Sequence, residues 1–422
     1  MLTLLHTADL HLGKILYEHS LLDEQQAMLD CLFNELSAVH YDALIISGDI
    51  YDRSVPPPEA VALFDRFLSR THAAFPKLPV CIISGNHDSA QRLSFAAELL
   101  KEQNIYICSE PQQCTQAVIL KDKDGIAEAA LYQIPFLHSA SLSAEDNPDT
   151  VLKTQEELIM EAVKRIGTFH KKLQKSCEQY AHLPALLSCH VFTAGAQSAG
   201  SERIFVGTAE YVHAFVFAPF AYTAAGHIHK TQKITERAYY SGSPLAYSFD
   251  EAGKEKNFLR VELDFSQNGD SPLPKITAIP VKGVRRLIRL TGSFEELLNE
   301  AQYKEYENDY IEFNYTDPFI ADNAVYRLRK RFKRLLSVKR CEASLKKTGQ
   351  NDEQNEKKEL KKRLLENRKE PPFKDIFYAF LQDVGFENGK DLKKDWEQEV
   401  DIFVKTARTE SEKNGESADE TA

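Results

Sequence analysis

The feature that most constrains the fold is a repeated unit, in which an apolar run of strand length ends in a few polar residues. In its clearest copy, the run 78–83 is followed by Ser-Gly-Asn-His-Asp at 84–88. Continuous apolar runs of this length predict buried strands. Rigid backbone behind a strand-end loop fixes the geometry of its polar groups. The polar residues that follow such runs are Asp9, His11, Asp49, Asn86, His87, His190, His227 and His229.

The first part of the chain alternates predicted strands with amphipathic helices. Apolar runs at 2–7, 43–47 and 78–83 are separated by segments with apolar residues at helical spacing, at 21–39 and 59–69. This alternation is typical of an α/β sheet whose functional site lies along the edge where the strands end. The later runs at 185–189 and 222–225 also end in histidines, so we expect them to extend the same arrangement.

The remainder of the chain divides by composition. A short β-α-β-α-β pattern at 281–342 contains a capping-box helix start at Ser293 and Glu296. A charged stretch is followed by apolar residues at helical spacing within 373–403, and a polar tail closes the sequence. We therefore predict a main domain at 1–280, an α+β domain at 281–342, a linker and helical segment at 343–405, and a disordered tail at 406–422.

Composition excludes several classes of protein. The net charge is −11, which counts against a broad nucleic-acid-coating surface and restricts any such surface to a local patch. The seven cysteines include no Cys-x-x-Cys pair, which favours reduced thiols over disulfides or a zinc knuckle. No apolar stretch is long enough to span a bilayer, and no signal peptide is recognisable. These features predict a cytoplasmic protein without a membrane association.

The strand-end residues have the chemistry of a metal site. They offer oxygen and imidazole ligands without a thiolate, a set that suits Mn²⁺, Fe²⁺ or Zn²⁺. One six-coordinate ion cannot use all of them, but two ions roughly 3.5–4 Å apart can share them through a bridging carboxylate. Asp49 follows a central predicted strand and is the natural bridge. Such a site predicts hydrolysis by in-line attack on phosphorus.

A structural role is the competing interpretation for each histidine. Any one site histidine taken alone could equally be a buried core residue. Their joint occurrence at strand ends, beside Gly or Asp, disfavours that interpretation for the group. We interpret the eight remaining histidines as surface or core residues: His6, His19, His40, His72, His138, His170, His182 and His213.

The order of the motifs resembles that of the calcineurin-like metallophosphoesterase superfamily. The motifs are D-x-H at 9–11, G-D-x-x-D at 48–52, G-N-H-D at 85–88, a lone His190 and G-H-x-H at 226–229. Further segments at 6–14, 134–137, 226–230, 241–245 and 248–251 resemble bacterial nuclease subunits of this superfamily that act with an SMC-like ATPase. The resemblance is close over residues 1–260, looser through 281–342, and only compositional beyond Cys341.

The resemblance implies a fold and a set of ligands. The fold is a four-layer α-β-β-α sandwich with a small capping domain and a helical C-terminal segment. Two manganese ions are implied. The first would be held by Asp9, His11, Asp49 and His229, and the second by Asp49, Asn86, His190 and His227. His87 would face the scissile phosphate as proton donor or charge stabiliser, with Asp88 orienting it. Asp52 stands where archaeal and eukaryotic relatives often have histidine, and we expect it to make a structural hydrogen bond.

The implied function is a manganese-dependent DNA nuclease in recombination, repair and replication, with double-strand exonuclease and single-strand or hairpin endonuclease activity. The capping domain would admit DNA, and the protein would be a homodimer within a heterotetramer at the nucleoid. The C-terminal apolar stripes would dock on the ATPase coiled coil or pack on their own domain. The basic runs at 327–340 and 357–363 would contact phosphates or simply face solvent.

Two other functions remain open. One is a small-molecule phosphodiesterase or protein phosphatase of the same superfamily. The phosphatase signature requires Asp-Arg-Gly, whereas here Asp52 and Arg53 are followed by Ser54. The other is a catalytically silent scaffold for the ATPase, which the complete set of motif residues disfavours.

Overall fold

A computed structural model describes residues 1–145, 150–197, 211–265, 273–317 and 323–341. The predicted segments at 343–405 and 406–422 lie outside the described residues, as does the basic run at 357–363. Within the described ranges, no helix combines the length and the apolar character that a membrane span requires.

The described strands and helices follow the predicted alternation. The strands are β1 (Leu2–Thr7), β2 (Ile15–Leu16), β3 (His19–Ser20), β4 (Ala43–Ser47), β5 (Val80–Ile83), β6 (Ile105–Cys108), β7 (Val118–Lys121), β8 (Ala127–Ile134), β9 (Ala185–His190), β10 (Phe192–Thr193), β11 (Tyr211–Val212), β12 (Tyr222–Gly226), β13 (Gln232–Thr235), β14 (Ala238–Tyr240), β15 (Asn257–Leu263), β16 (Lys275–Pro280), β17 (Leu287–Gly292), β18 (Tyr310–Tyr315) and β19 (Leu335–Arg340). The helices are α1 (Leu22–Ala38), α2 (Pro58–Ala74), α3 (Ala90–Leu93), α4 (Ala97–Lys101), α5 (Gln155–Ser176), α6 (Phe294–Asn299) and α7 (Ala324–Arg331).

Two six-stranded sheets form the main domain. The first has the strand order β16-β15-β1-β4-β5-β6 and the second β13-β14-β12-β9-β8-β7. Strands β1, β4, β5 and β6 run parallel, as do β8, β9, β12 and β14. The site strands β1, β4, β5, β9 and β12 are therefore central in their sheets, and their carboxyl ends can meet.

Three apolar clusters hold these layers together. Residues of both sheets, including Leu4, Ile45 and Leu186, pack between the sheets. The outer face of the first sheet packs against α1 and α2, with Leu29 and Phe64 in that core. The outer face of the second sheet packs against α5 through residues such as Ile159. The order of layers is α-β-β-α, which confirms the predicted fold class.

The sequence also predicts one helix at 94–101, after the 84–88 motif, and this prediction is only partly correct. The structure has two short helices, α3 and α4, because Ala96 adopts a left-handed conformation with φ of 59° between them. A non-glycine residue in this region is uncommon and interrupts a right-handed helix. The chain leaving the 84–88 motif therefore turns sharply instead of continuing as one helix.

The smaller α+β unit has its own apolar core. Its parallel sheet has the order β17-β18-β19, and Leu297, Phe313 and Leu328 are buried between this sheet and the helices α6 and α7. Arg285 forms an ion pair with the buried Glu24 of α1, which ties this unit to the main domain. The predicted boundaries at 280 and 342 stay predictions.

Candidate metal centre

The predicted site residues converge at the carboxyl ends of the central strands. Asp9, His11 and Asp49 follow β1 and β4 with φ values of 55°, 44° and 50°, and His227 follows β12 with φ of 104°. Positive φ is unfavourable for these residues, and such strain persists only where surrounding contacts enforce it. Four predicted ligand positions share this backbone strain, which indicates that the arrangement of the site lowers the stability of the fold.

One half of the site consists of Asn86, His190 and His227. Asn86 Oδ1 lies 3.0 Å from His190 Nε2 and 2.9 Å from His227 Nδ1, and the two histidine nitrogens are 3.3 Å apart. His190 Nδ1 donates to the carbonyl oxygen of Ser47 at 2.8 Å, so Nε2 carries a lone pair. Two lone-pair atoms, on Asn86 and His190, therefore face each other. This arrangement fits a cation and is unfavourable without one.

The other half consists of Asp9, His11 and His229, whose ligand atoms lie within 4.8 Å of one another. His11 Nε2 is 3.0 Å from His229 Nε2. The Nδ1 atom of His229 is 3.7 Å from Glu251 Oε1, so the Glu251 carboxylate lies beside this side of the ring. The other ring nitrogen, Nε2, faces His11, an arrangement that resembles a metal-binding imidazole with an outer carboxylate.

Asp49 stands between the two halves. Its Oδ2 atom is 3.6 Å from His11 Nε2 and 3.6 Å from His190 Nε2. Its Oδ1 atom accepts a hydrogen bond of 2.9 Å from the backbone N–H of His87, which fixes the orientation of the carboxylate. Oδ2 is thus equally distant from one histidine of each half, which is compatible with a bridging ligand.

Three glycines make this close packing possible. A Cβ atom on Gly85 would lie 2.1 Å from Asp49 Oδ1, and one on Gly48 would lie 2.2 Å from His190 Nδ1. A Cβ atom on Gly226 would lie 1.8 Å from the carbonyl oxygen of Ser47. No real side chain tolerates such distances, so the glycines of the three motifs are required by the approach of the site residues to one another.

Burial favours the neutral form of four site imidazoles, those of His11, His190, His227 and His229. Burial lowers the pKa of His190 to about 3, and burial lowers the pKa values of His11, His227 and His229 as well. Neutral imidazole is the form that binds metal ions. Burial raises the pKa of Asp49, because a carboxylate without a cation is costly in an apolar environment. The charge state of the cluster thus favours a cation among these residues.

His87 and Asp88 do not form the contact expected from the sequence. His87 Nδ1 donates to the backbone carbonyl oxygen of Asp52 at 2.7 Å, so this carbonyl orients the ring. The carboxylate of Asp88 accepts the backbone N–H groups of Ile50, Tyr51 and Gly85 at 2.9–3.0 Å. The expectation that Asp88 orients His87 by direct contact is therefore corrected, because Nδ1 of His87 donates to the Asp52 carbonyl and the Asp88 carboxylate accepts backbone N–H groups instead. Asp88 instead joins the loop after β4 to the loop after β5.

Asp52 makes the structural hydrogen bond that the sequence predicted. Its Oδ1 atom accepts from Lys14 Nζ at 2.8 Å and lies 3.7 Å from His11 Nδ1. His11 Nδ1 is buried and makes no hydrogen bond to any residue that the structure describes. The side chain of Asp52 therefore lies next to the predicted ligand His11, and its backbone carbonyl accepts a hydrogen bond from His87.

Sequence reasoning missed the residues that support His229. Glu251, 1% exposed, accepts hydrogen bonds from Lys256 Nζ and from the Ser243 hydroxyl. Burial alone would raise the pKa of Glu251, but His229 and Lys256 hold that pKa well below its usual range. Lys256 also donates to the carbonyl oxygen of His229 at 3.0 Å. The segments 241–245 and 248–251 mark this region in the sequence, although their composition does not reveal the contact.

Comparisons with known proteins match both parts of the chain. Residues 2–191 match the calcineurin-like phosphoesterase family, and residues 284–384 match the domain SbcD_C, described as the Type 5 capsule protein repressor C-terminal domain. The chain is also similar to the protein TT1561 of Thermus thermophilus, with 13% identity, a TM-score of 0.37, and coverage of 66% of this chain and 99% of that one. A dimetal phosphatase from Danio rerio is similar with 13% identity, a TM-score of 0.36, and coverage of 67% and 99%.

Proposed function

The chain belongs to the calcineurin-like phosphoesterases and carries an SbcD-type C-terminal domain, and from this premise we propose that it is the nuclease subunit of an SbcCD-type complex. Its reaction would be the metal-dependent hydrolysis of DNA phosphodiesters, as an exonuclease on double-strand ends and an endonuclease on single strands and hairpins. Its partner would be an SbcC-type SMC-like ATPase, and its role would lie in DNA recombination, repair and replication at the nucleoid.

The position of Asp49 Oδ2, 3.6 Å from the Nε2 atoms of both His11 and His190, carries the hydrolytic part of the proposal. We assign Asp9, His11, Asp49 and His229 to one divalent cation, and Asp49, Asn86, His190 and His227 to a second. When bound, such a pair supplies a nucleophilic water at neutral pH and offsets the negative charge of the phosphate. The oxygen and imidazole donor set is compatible with Mn²⁺, the metal we propose.

His87 would provide the proton for the departing oxygen. The Asp52 carbonyl accepts from Nδ1 of His87, which leaves Nε2 as the nitrogen that exchanges a proton with the substrate. In the imidazolium form Nε2–H can protonate the leaving alkoxide, a contribution typically worth about 10²–10⁴-fold in rate. Asp88 would act indirectly, because its three backbone hydrogen bonds hold the loops that carry Asp49 and His87.

The DNA part of the proposal is supported by the second domain match and by local charge. The matched region 284–384 includes α7, whose Arg327, Arg329 and Lys330 are exposed. A basic helix on a chain with a net charge of −11 is the kind of local patch that can contact phosphates. The helical segment proposed to bind the ATPase lies at 343–405, and the homodimer within a heterotetramer is proposed with it.

The test is cleavage of end-labelled duplex and hairpin DNA by the purified full-length chain, alone and with its SbcC-type ATPase, in Mn²⁺ and in chelator. We expect metal-dependent cleavage that His87→Ala reduces by about 100-fold or more while Mn²⁺ binding is retained. Asp30→Asn is a matched control, because Asp30 pairs with Arg70 on the exposed surface. Phosphate release from small esters without DNA cleavage would support a small-molecule enzyme instead. ATPase binding without any turnover would support a scaffold.

A further inference from the structure

Two aromatic side chains, Phe136 and Phe192, flank the half of the site that contains Asn86, and a third, Tyr211, packs on Phe192. The mechanism above does not use them. The Phe136 ring centroid is 6.2 Å from that of His190, edge-on at 75°. The Phe192 ring is 5.9 Å from that of His227 at 79°, and Tyr211 lies 4.9 Å from Phe192. We call Phe136, Phe192 and Tyr211 the aromatic strip.

The aromatic strip is more open than the ligands beside it. His190 is fully buried and His227 is 8% exposed, whereas Phe192 and Tyr211 are partly exposed. Phe192 packs against the core of the second sheet and still retains accessible surface. The strip therefore borders the ligand cluster on its solvent side. The chain neighbour Val191 is 1% exposed, so the partial exposure belongs to the Phe192 ring and not to the whole segment.

The backbone holds the strip rigidly against the motif loops. The N–H of Phe136 donates to the carbonyl oxygen of Ser84 at 2.9 Å, directly before the Gly-Asn-His-Asp motif. Phe192 and Tyr211 are paired residues of the parallel strands β10 and β11. The N–H of Val191 donates to the Gly226 carbonyl at 3.3 Å. Because the rings are fixed before any ligand arrives, a planar partner that stacks on them loses little to ordering of the protein.

The negative net charge of the chain limits where DNA can gain binding affinity, and stacking on these rings is one source that charge does not oppose. With a net charge of −11, the chain as a whole repels a polyanion, so DNA must gain its affinity from local contacts. Stacking of a base on an aromatic ring does not depend on net charge and tolerates every base. The Phe136 and Phe192 ring centroids lie 6.2 Å and 5.9 Å from those of His190 and His227, so a phosphate held at the cluster would bring the base of its own nucleotide or of the next one near the strip.

We propose that Phe136, Phe192 and Tyr211 form a stacking platform for one unpaired nucleobase of the strand whose phosphate is hydrolysed. The inference rests on the proposed function and adds a determinant of substrate structure. Inside a duplex both faces of a base are covered by its neighbours, so the platform can accept a base only at a frayed end, a hairpin loop or a single strand. The strip would therefore favour unpaired nucleotides at the site of cleavage.

The test is a double-mutant cycle between protein and DNA. Single-stranded oligonucleotides with one abasic nucleotide at each position around the cleavage site are compared with the intact strand. For the wild-type chain we expect kcat/KM to fall roughly 5- to 100-fold at one abasic position. On the intact strand, kcat/KM of Phe192→Leu should be lower than that of the wild-type chain by a similar factor. On the strand with that abasic position, the variant and the wild-type chain should have nearly equal kcat/KM. Phe169→Leu, an exposed aromatic on α5, is the control and should behave as wild type.

Two further readouts separate stacking from a structural role. Mn²⁺ affinity should be unchanged in Phe192→Leu, and Tyr211→Leu gives an independent variant if Phe192→Leu fails to fold. Equal losses on intact and abasic strands, or weakened Mn²⁺ binding, would overturn the proposal and leave the rings as a cover for the ligands. If the wild-type chain cleaves no DNA, the proposed function fails, and quenching of a 2-aminopurine oligonucleotide on binding still tests the platform.

Discussion

The Oδ1 atom of Asn86 lies 3.0 Å from the Nε2 atom of His190, and neither atom carries a proton to share. Two acceptors at this distance repel each other, and the repulsion is stronger in a buried environment of low dielectric constant. A cation placed between them would turn the repulsion into two favourable contacts. This pair therefore links metal binding to the stability of the fold.

The first prediction concerns metal removal. We expect Mn²⁺ to raise the free energy of unfolding, by about 2.7 kcal/mol at a concentration roughly 100 times the dissociation constant, relative to the chain in chelator. Asn86→Ala should reduce this gain, because it removes one ligand and also the repulsion in the metal-free state. Thermal unfolding at several Mn²⁺ concentrations measures both effects. A midpoint that does not respond to metal would contradict the prediction.

The second prediction compares two glycines. Gly85→Ala should abolish metal-dependent activity and weaken metal binding, because its Cβ would lie 2.1 Å from Asp49 Oδ1. Gly167→Ala should leave activity unchanged and stabilise the chain by about 0.5–1 kcal/mol, because this exposed glycine in α5 has no atom of the described part of the chain within 4 Å of the added Cβ. Equal behaviour of the two variants in Mn²⁺ binding would show that close packing around Asp49 is not needed.

Much of the arrangement around Asp49 and His190 could be predicted from sequence. Buried strands at 43–47 and 185–189 have continuous apolar runs, and a polar residue directly after such a run must lie at the edge of the sheet. The fold class follows from the same alternation and is confirmed by the two six-stranded sheets. The five strand ends converge because of that topology. The positions of the motifs in the sequence were therefore enough to predict that their side chains lie together.

Hydrogen bonds to backbone carbonyls could not be predicted from the sequence. The adjacency of His87 and Asp88 suggested a direct contact, but the carbonyl of Asp52 holds His87. Every residue has a carbonyl, so no residue type marks this partner. The support of His229 by Glu251 was missed for a related reason, since a buried glutamate 22 positions along the chain has no local pattern. The break at Ala96 was missed as well, because alanine favours helix and no residue type there marks the left-handed conformation.

The third prediction separates the two proposed cations. The Asp52 carboxylate is 3.7 Å from His11 Nδ1, so its negative charge favours a cation bound at His11 although the two side chains make no hydrogen bond. Loss of that charge should weaken binding about 10-fold, the lower end of the effect of a hydrogen-bonded outer carboxylate. Asp52→Asn should therefore weaken only the ion assigned to His11. The ion assigned to His190 and His227 should be unaffected. Stepwise titration with Mn²⁺ in a calorimeter distinguishes one weakened site from two.

Asp30→Asn is the control for that titration, since it removes an exposed carboxylate that pairs with Arg70. It should leave both binding steps at their wild-type affinity. The backbone carbonyl of Asp52 remains in Asp52→Asn, so His87 should keep its hydrogen bond, and the pH profile of the remaining activity should keep its shape. A parallel loss at both sites would mean that Asp52 acts on the whole loop and not on His11.

The fourth prediction uses His6, which is fully buried and whose Nδ1 lies 2.9 Å from the hydroxyl of Tyr222. Burial lowers the pKa of His6 from 6.5 to about 3. Below pH 6.5 the unfolded chain binds a proton at this residue that the folded chain does not. The contribution of His6 is therefore complete above this pH and is lost as the pH falls towards the folded-state pKa, at about 1.4 kcal/mol per pH unit. The measurement is the free energy of unfolding by urea, in chelator, as a function of pH. Between about pH 6 and 4, this free energy should fall less steeply with decreasing pH in His6→Gln than in the wild-type chain, by about 1.4 kcal/mol per pH unit.

If the free energies of unfolding of the two proteins change in parallel over this pH range, His6 takes up its proton without loss of the fold, and the prediction is wrong.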